Sequence, residues 1–336
     1  MLIYKFLIGV IFHYLINKFF LYKKILVDDH SFLKHKAFLG HKKQNILTGG
    51  VVFICLFLFY LQISFIYKIL ISAIFFIGVL SDIKLLNKPS LRFFIQTLTI
   101  SLIVYNLGLG INYTDLSYLD FFIQNYYVGI FFSIFCILIL INGSNFLDGL
   151  NTLIIGYYLL VLITILFLIR QNSINYDIFN VTNLIVILTI NFIFNLFNKN
   201  FLGDSGAYSI SCVIGVLTID FYKSVNDFSV LFIVLLLWYP AFETLFSIIR
   251  KTVSKIGPSE PDNGHLHQLL FRYISIKKNR YVSNLLAANI INLYNGIVFY
   301  ISFLNYKNSI FLLILLIFNL FIYILVYLIL KKIKFS

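Results

Sequence analysis

Acidic residues and histidines are scarce in this chain of 336 residues, which holds 13 Asp and Glu together and 6 His. Where they stand is therefore informative. Asp82 closes an apolar run in the string G-V-L-S-D-I-K-L-L-N-K-P-S-L-R and is followed by Lys84, Lys88 and Arg92. A carboxylate beside three cations can hold a metal or position a phosphate; a cationic loop flanking an apolar segment is the plainer reading. In N-G-S-N-F-L-D-G-L-N, the residues Asn142, Asn145, Asp148 and Asn151 recur every third position. On a helix end that spacing lines one face with amides and a carboxylate. Asp204 stands between Gly203 and Gly206 in F-L-G-D-S-G, just ahead of another apolar run. A helix N-terminus attracts anions, so an Asp there either caps the helix or holds Mg²⁺ against a diphosphate. Glu243 lies inside an apolar segment and is followed by Arg250 and Lys251. The string P-S-E-P-D-N-G-H-L-H-Q brings Asp262, His265 and His267 together. Zinc would want a third close ligand and an open position, so donation to phosphate oxygens suits these histidines better. A structural histidine is the alternative for either. The pair Gly49-Gly50 lets helices, or a phosphate, approach the backbone closely.

The elements that must position these residues are helices in lipid. Hydrophobic residues make up 60% of the chain and charged ones 12%, against about 25% charged in a soluble domain. A span needs about 20 mostly apolar residues. That ruler gives eleven candidates: 2–22, 46–62, 64–81, 93–109, 127–145, 150–169, 180–197, 207–222, 228–248, 285–304 and 308–330. Lys68 interrupts the third, so ten or eleven spans are expected. The fold class is all-α, a polytopic integral membrane protein. No polar linker divides the chain, and residues 1–336 read as one membrane-embedded domain. Residues 2–22 lack a small-residue cleavage site and read as a retained first helix, not a signal peptide.

Charge orients the spans. Twenty of the 26 lysines and arginines fall in the alternate connecting segments that follow the odd-numbered spans. Basic loops stay in the cytoplasm, so the N-terminus is placed outside and the C-terminus inside. Asp82, Asp148, Asp204, Glu243, Asp262, His265 and His267 then all face the cytoplasm. The net charge of +13 is explained by these flanks, and nucleic acid is not an expected partner. Cys55, Cys136 and Cys212 lie inside apolar runs without metal-ligand spacing and read as packing residues.

Taken in order, these strings resemble the polyprenyl-phosphate N-acetylhexosamine-1-phosphate transferases, the MraY/WecA-like glycosyltransferase family 4, in a divergent branch. The resemblance runs from about residue 29 to 270. It rests on Gly49-Gly50, Asp82, the Asn142–Asn145–Asp148–Gly149 string, the full F-x-G-D-x-G motif at Phe201–Gly206, Pro240–Glu243–Thr244 read as a turn before Arg250-Lys251, and Pro261–Asp262–His265–His267. The departures are Ser81 and Asn151 where the family has Asp, Thr152 for Gly, Glu243 for Asp and Gln268 for His.

What the resemblance implies is transfer of a sugar-1-phosphate, an N-acetylhexosamine-1-phosphate, from a UDP-sugar to polyprenyl (undecaprenyl) phosphate, with release of UMP. That step would initiate a lipid-linked cell-envelope glycan at the cytoplasmic face of a bacterial inner membrane. Mg²⁺ is the implied cofactor, with Asp204 and Asp148 as ligands. Asp82, Asp148 and Asp204 are the implied catalytic residues. The implied substrate-binding residues are Asn142, Asn145, Asn151, Lys88, Arg92, Glu243, Arg250, Lys251, Asp262, His265 and His267. A homodimer is a possible assembly. A lipid phosphate has a second pKa of about 6 and is already a nucleophile near neutral pH, so a missing Asp need not remove an obligatory base. Two other readings stay open: an inactive relative that binds lipid-linked sugars or partners, and a transporter, which would place polar groups at the membrane midplane instead.

Overall fold

The computed structural model describes residues 1–28, 45–114, 116–225, 228–255, 257 and 264–333. In chain order the helices are α1 (Leu2–Lys23), α2 (Gly49–Tyr60), α3 (Phe65–Asp82), α4 (Pro89–Asn106), α5 (Ser117–Ile123), α6 (Tyr126–Leu147) and α7 (Leu153–Gln171). They continue with α8 (Ile178–Leu196), α9 (Gly203–Ser224), α10 (Val230–Val253), α11 (Leu266–Ser275), α12 (Arg280–Leu304) and α13 (Ser309–Lys332). Between α1 and α2, the two-residue strands β1 (Val27–Asp28) and β2 (Asn45–Ile46) pair antiparallel.

Every one of the eleven expected spans is a helix, but not all span alike. Among the described residues, nine helices are long and apolar enough to cross a bilayer. The segment expected at 46–62 is α2, only 12 residues long, or about 18 Å at 1.5 Å per residue, against a hydrocarbon core of about 30 Å. Its C-terminal carbonyls are met from the next helix, where Lys68 Nζ donates to Leu58 O at 2.8 Å. That contact accounts for the charge interrupting the third span. The segment expected at 93–109 is α4, which begins earlier, with Pro89 in its first turn. Arg92 and Gln96 keep it out of the most apolar class. α5 and α11 are short helices between spans.

α9 is the centre of the bundle. Its most apolar window has a mean hydropathy of 1.3, the lowest of the nine, yet 89% of that window is buried. Ser209, Ser211 and Thr218 explain the paradox, because each hydroxyl donates to a carbonyl one turn back, Ser205 O, Ala207 O and Ile214 O. Satisfied in this way, small polar side chains behave as small packing residues. α2, α3 and α6 pack on α9. A Cβ on Gly50 would sit 2.5 Å from Gly206 N, and one on Gly78 would collide with the Ser205 backbone. The close approach read from Gly49-Gly50 is thus between helices. α1 and α13 are the most lipid-facing, with 17% and 22% of their windows buried.

The expected turn at Pro240 is not a turn. α10 runs unbroken through Pro240. A proline leaves the carbonyl four residues earlier without its helical donor, and here the Tyr157 hydroxyl donates to Leu236 O at 2.9 Å. The helix is repaired from a neighbour, and Glu243, Thr244, Arg250 and Lys251 continue along the same rod.

Candidate active site

The helix that carries Asp204 starts one residue before it. α9 begins at Gly203, in the left-handed region at φ +66°. A Cβ there would stand 2.8 Å from Asp82 Oδ2, so glycine is required twice over, for backbone conformation and for space. α9 has no side-chain cap of its own. The cap comes from another helix: Asp82 Oδ1 accepts the Asp204 N–H at 2.8 Å, and Oδ2 accepts the Ser205 N–H at 3.1 Å. These are the first-turn donors that an N-cap residue normally satisfies. Asp82 is therefore the cap of α9, and Asp204 is released from capping.

Asp204 instead gathers polar groups. Ser81 Oγ donates to Oδ2 at 2.5 Å, Arg92 Nη1 lies 3.1 Å from the same oxygen, and the Tyr208 hydroxyl lies 3.4 Å from it. Arg92 also donates to Ser81 Oγ. Asn145 reaches the Tyr208 hydroxyl at 3.5 Å. Asp204 Oδ1 makes no hydrogen bond among the described residues.

A second cluster surrounds Glu243. Its Oε1 pairs with His265 Nδ1 at 2.9 Å and its Oε2 accepts the Tyr323 hydroxyl at 2.7 Å. Glu243 is 1% exposed and His265 is 4% exposed, so this pair exists only because each polar atom has a partner. His267 stacks on His265 with ring centroids 5.7 Å apart. It is fully buried, and neither ring nitrogen has a partner among the described residues. Burial, opposed by the Glu243 carboxylate, pushes its imidazole down to about 3, so it is neutral near pH 7.

The end of α6 joins the two clusters. Asn145 turns toward Tyr208 and Asp204, while Phe146 packs on His265 at 5.0 Å and lies under the Lys251 ammonium at 5.8 Å. Asp148 is the C-cap of α6, and a Cβ on Gly149 would be 3.2 Å from His267 Nε2. Ser81, Asp82, Arg92, Asn145, Asp204, Glu243, Lys251, His265 and His267 thus share one end of the bundle.

The every-third stripe does not continue as expected. α6 stops at Leu147 and Thr152 is left-handed at φ +66°, so helical spacing fails beyond the turn. Asn142 bonds back to Leu138 O at 2.8 Å, within its own helix. Asn151 turns the other way: its N–H goes to Asn284 Oδ1 at 2.9 Å and its amide to Asn195 O at 3.3 Å. Asn195 in turn receives the Thr152 N–H at 2.6 Å and donates to Asn200 O at 2.8 Å. It ties the turn after Asp148 to the turn before Asp204. Lys88 is exposed ahead of α4, and Arg250 donates to Ser247 Oγ at 3.3 Å and lies 6.0 Å from the centre of the Tyr327 ring. Asp262 and Pro261 lie outside the described residues.

Tyr208, Tyr323, Phe146 and Asn195 were not singled out by sequence. An aromatic or amide in a chain this rich in Tyr, Phe and Asn carries no signal alone; Tyr208, four residues after Asp204, had the one usable cue, a shared helix face. Three acids away from this site have structural work. Asp120 accepts the Thr114 N–H and hydroxyl, Asp177 caps α8, and Asp220 accepts the Tyr176 hydroxyl.

Among the described residues, no three of His, Cys, Asp and Glu come together as a metal site. The donor set fits Mg²⁺ in its usual sparse form, in which one or two carboxylates hold an ion that takes its remaining ligands from phosphate and water. Asp204 Oδ1 is the oxygen left for it.

Residues 63–222 match the model of glycosyl transferase family 4. The chain is 28% identical over 200 residues to a probable undecaprenyl-phosphate N-acetylglucosaminyl 1-phosphate transferase of Bacillus subtilis (strain 168), covering 59% of this chain and 55% of the relative. It is 28% identical over 137 residues to an undecaprenyl-phosphate alpha-N-acetylglucosaminyl 1-phosphate transferase of Thermotoga maritima, 40% of each chain. A third relative, decaprenyl-phosphate N-acetylglucosaminephosphotransferase of Mycolicibacterium smegmatis, is 28% identical over 154 residues, 40% of this chain and 38% of the relative. The matched stretch is thus about half the length of the first relative and less of the others.

Proposed function

We propose, from the match of residues 63–222 to glycosyl transferase family 4, that this chain transfers N-acetylhexosamine-1-phosphate from a UDP-sugar to a polyprenyl phosphate, releasing UMP. The observation that carries this reading is the turn at Gly203-Asp204. Its carboxylate sits at the buried start of α9, held by Asp82 through the backbone and flanked by Arg92, with Asn145 reaching Tyr208 beside it.

In this reaction an oxygen of the lipid phosphate forms a bond to the sugar-bearing phosphorus. The bond to the UMP oxygen breaks, and UMP leaves with its electron pair. Phosphoryl transfer depends on positioning and charge neutralisation more than on covalent chemistry. Mg²⁺, when bound at Asp204, would supply that neutralisation. Arg92 and Lys251 are cations at this end of the bundle, and each can meet phosphate oxygens. His265 is fixed by Glu243, which orients one ring nitrogen inward and leaves the other as a donor or acceptor toward substrate. His267, neutral and without a described partner, is suited to a single hydrogen bond with a bound phosphate or nucleotide. Asp82 sets where Asp204 stands. The cytoplasmic face of a bacterial inner membrane is where the charge of the loops would put this site.

The test is UMP release from UDP-N-acetylhexosamines by membranes supplied with polyprenyl phosphate and Mg²⁺. Turnover that Asp204→Ala abolishes is the expected result. No UMP across the donor panel, with Asp204→Ala indistinguishable from wild type, refutes the proposal.

A further inference from the structure

The surroundings of Asp204 already contain a cation. Arg92 Nη1 stands 3.1 Å from Asp204 Oδ2, and Ser81 Oγ donates to that oxygen at 2.5 Å. Arg92 donates to Ser81 Oγ as well, so the three side chains form a closed triangle. The nearest second carboxylate, Asp82, has both oxygens committed to backbone N–H groups of α9. Position 81, which points at Asp204, carries a neutral hydroxyl. A divalent cation arriving alone would meet one spare carboxylate oxygen, Asp204 Oδ1, and a guanidinium beside it. Mg²⁺ and Mn²⁺ favour oxygen-rich sites, and like charge at this distance opposes them.

We propose that Arg92 is the resident counter-ion of Asp204, which keeps a free divalent cation out, so that the cation is held only together with a diphosphate. The identity of that diphosphate as a nucleotide sugar rests on the transferase reading; the exchange between Arg92 and Asp204 does not. A diphosphate brings the oxygens that a divalent ion needs and gives the guanidinium a new planar partner. The Arg92 side chain is 24% exposed, so it has room to turn. Arg92 is a positioning residue in this sense: it decides when Asp204 is available, and the triangle with Ser81 fixes where it waits.

The probe is Mn²⁺, followed by electron paramagnetic resonance on the full chain in lipid nanodiscs, with and without UDP-N-acetylglucosamine. Wild type is expected to bind Mn²⁺ at least tenfold more tightly when the nucleotide sugar is present. Arg92→Gln removes the resident cation, and Ser81→Asp adds a carboxylate. Each is expected to strengthen nucleotide-free Mn²⁺ binding at least tenfold, and a further Asp204→Asn change is expected to cancel the gain. Because the two variants alter different helices, α4 and α3, a folding defect in one leaves the other to decide. Wild type that holds Mn²⁺ alone as tightly as with the nucleotide sugar overturns the proposal. So does nucleotide-free affinity unchanged in both variants. If the variants gain free-cation binding while wild type holds Mn²⁺ neither alone nor with UDP-N-acetylglucosamine, the counter-ion role of Arg92 stands and the nucleotide-sugar reading falls.

Discussion

Replacing Asp82 separates a cap from a base. Its two carboxylate oxygens accept the Asp204 and Ser205 N–H groups at 2.8 and 3.1 Å, and α9 has no other side-chain cap. A hydrogen bond to a charged group contributes about 1.5–3 kcal/mol, and loss of an N-cap side chain costs about 0.5–2 kcal/mol. The two donors share one carboxylate, so their contributions do not simply add. Asp82→Ala should then destabilise the folded chain by about 3 kcal/mol, roughly a hundredfold in the folded-to-unfolded ratio. Asp82→Asn keeps one acceptor oxygen but turns an amide toward the other N–H, and should cost about half as much. Thermal unfolding in nanodiscs reads the first quantity, and UMP release reads the second. If Asp82 acts through the position of Asp204, Asp82→Asn retains measurable turnover, reduced about tenfold, because the turn is loosened but not lost. An Asp82→Asn protein with wild-type melting and turnover as low as Asp204→Ala would refute the cap and make Asp82 a group that meets substrate. Unchanged melting in Asp82→Ala would refute it from the other direction.

Other expectations follow from neighbouring contacts. Gly78→Ala puts a Cβ against the Ser205 backbone, whereas Gly108→Ala, at φ +61°, meets nothing within 4 Å. The first should abolish a stable fold in a detergent melting assay, while the second should cost only about 1–2 kcal/mol for its left-handed backbone. His267 is held down to about 3 by burial. With an unfolded value near 6.5, the unfolded chain binds the extra proton between those limits. Stability should therefore be complete above about pH 6.5 and fall as pH drops toward 3, by a few kcal/mol at most. His267→Gln should flatten that slope in melting curves taken against pH. Tyr323→Phe removes one of the two hydrogen bonds to buried Glu243, and should lower stability by about 1–3 kcal/mol while leaving the His265 pair in place.

Much of this was legible in the sequence, for physical reasons. Eleven apolar runs of helical length became eleven helices, because in lipid a segment must satisfy its backbone within itself. The scarcity of charge made Asp82, Asp204, Glu243 and His265 conspicuous, and the bundle does bring them to one end. Gly203 and Gly206 flagged a tight helix start. Local spacing failed where the chain stops being a helix: the Asn142–Asn151 stripe breaks at Leu147, and Asn151 joins Asn195 and Asn284 instead. It failed again at Pro240, where a distant hydroxyl, Tyr157, replaces the missing helical donor and removes the turn. The division of labour among the acids was beyond sequence altogether. Asp82 caps, Asp204 is spared from capping, and Arg92 stands against it, because α3, α4 and α9 meet there. Residue type and order are properties of the chain itself. Which of two aspartates spends its oxygens on a backbone depends on helices separated by more than a hundred residues coming within hydrogen-bonding distance, and only the packed bundle decides that.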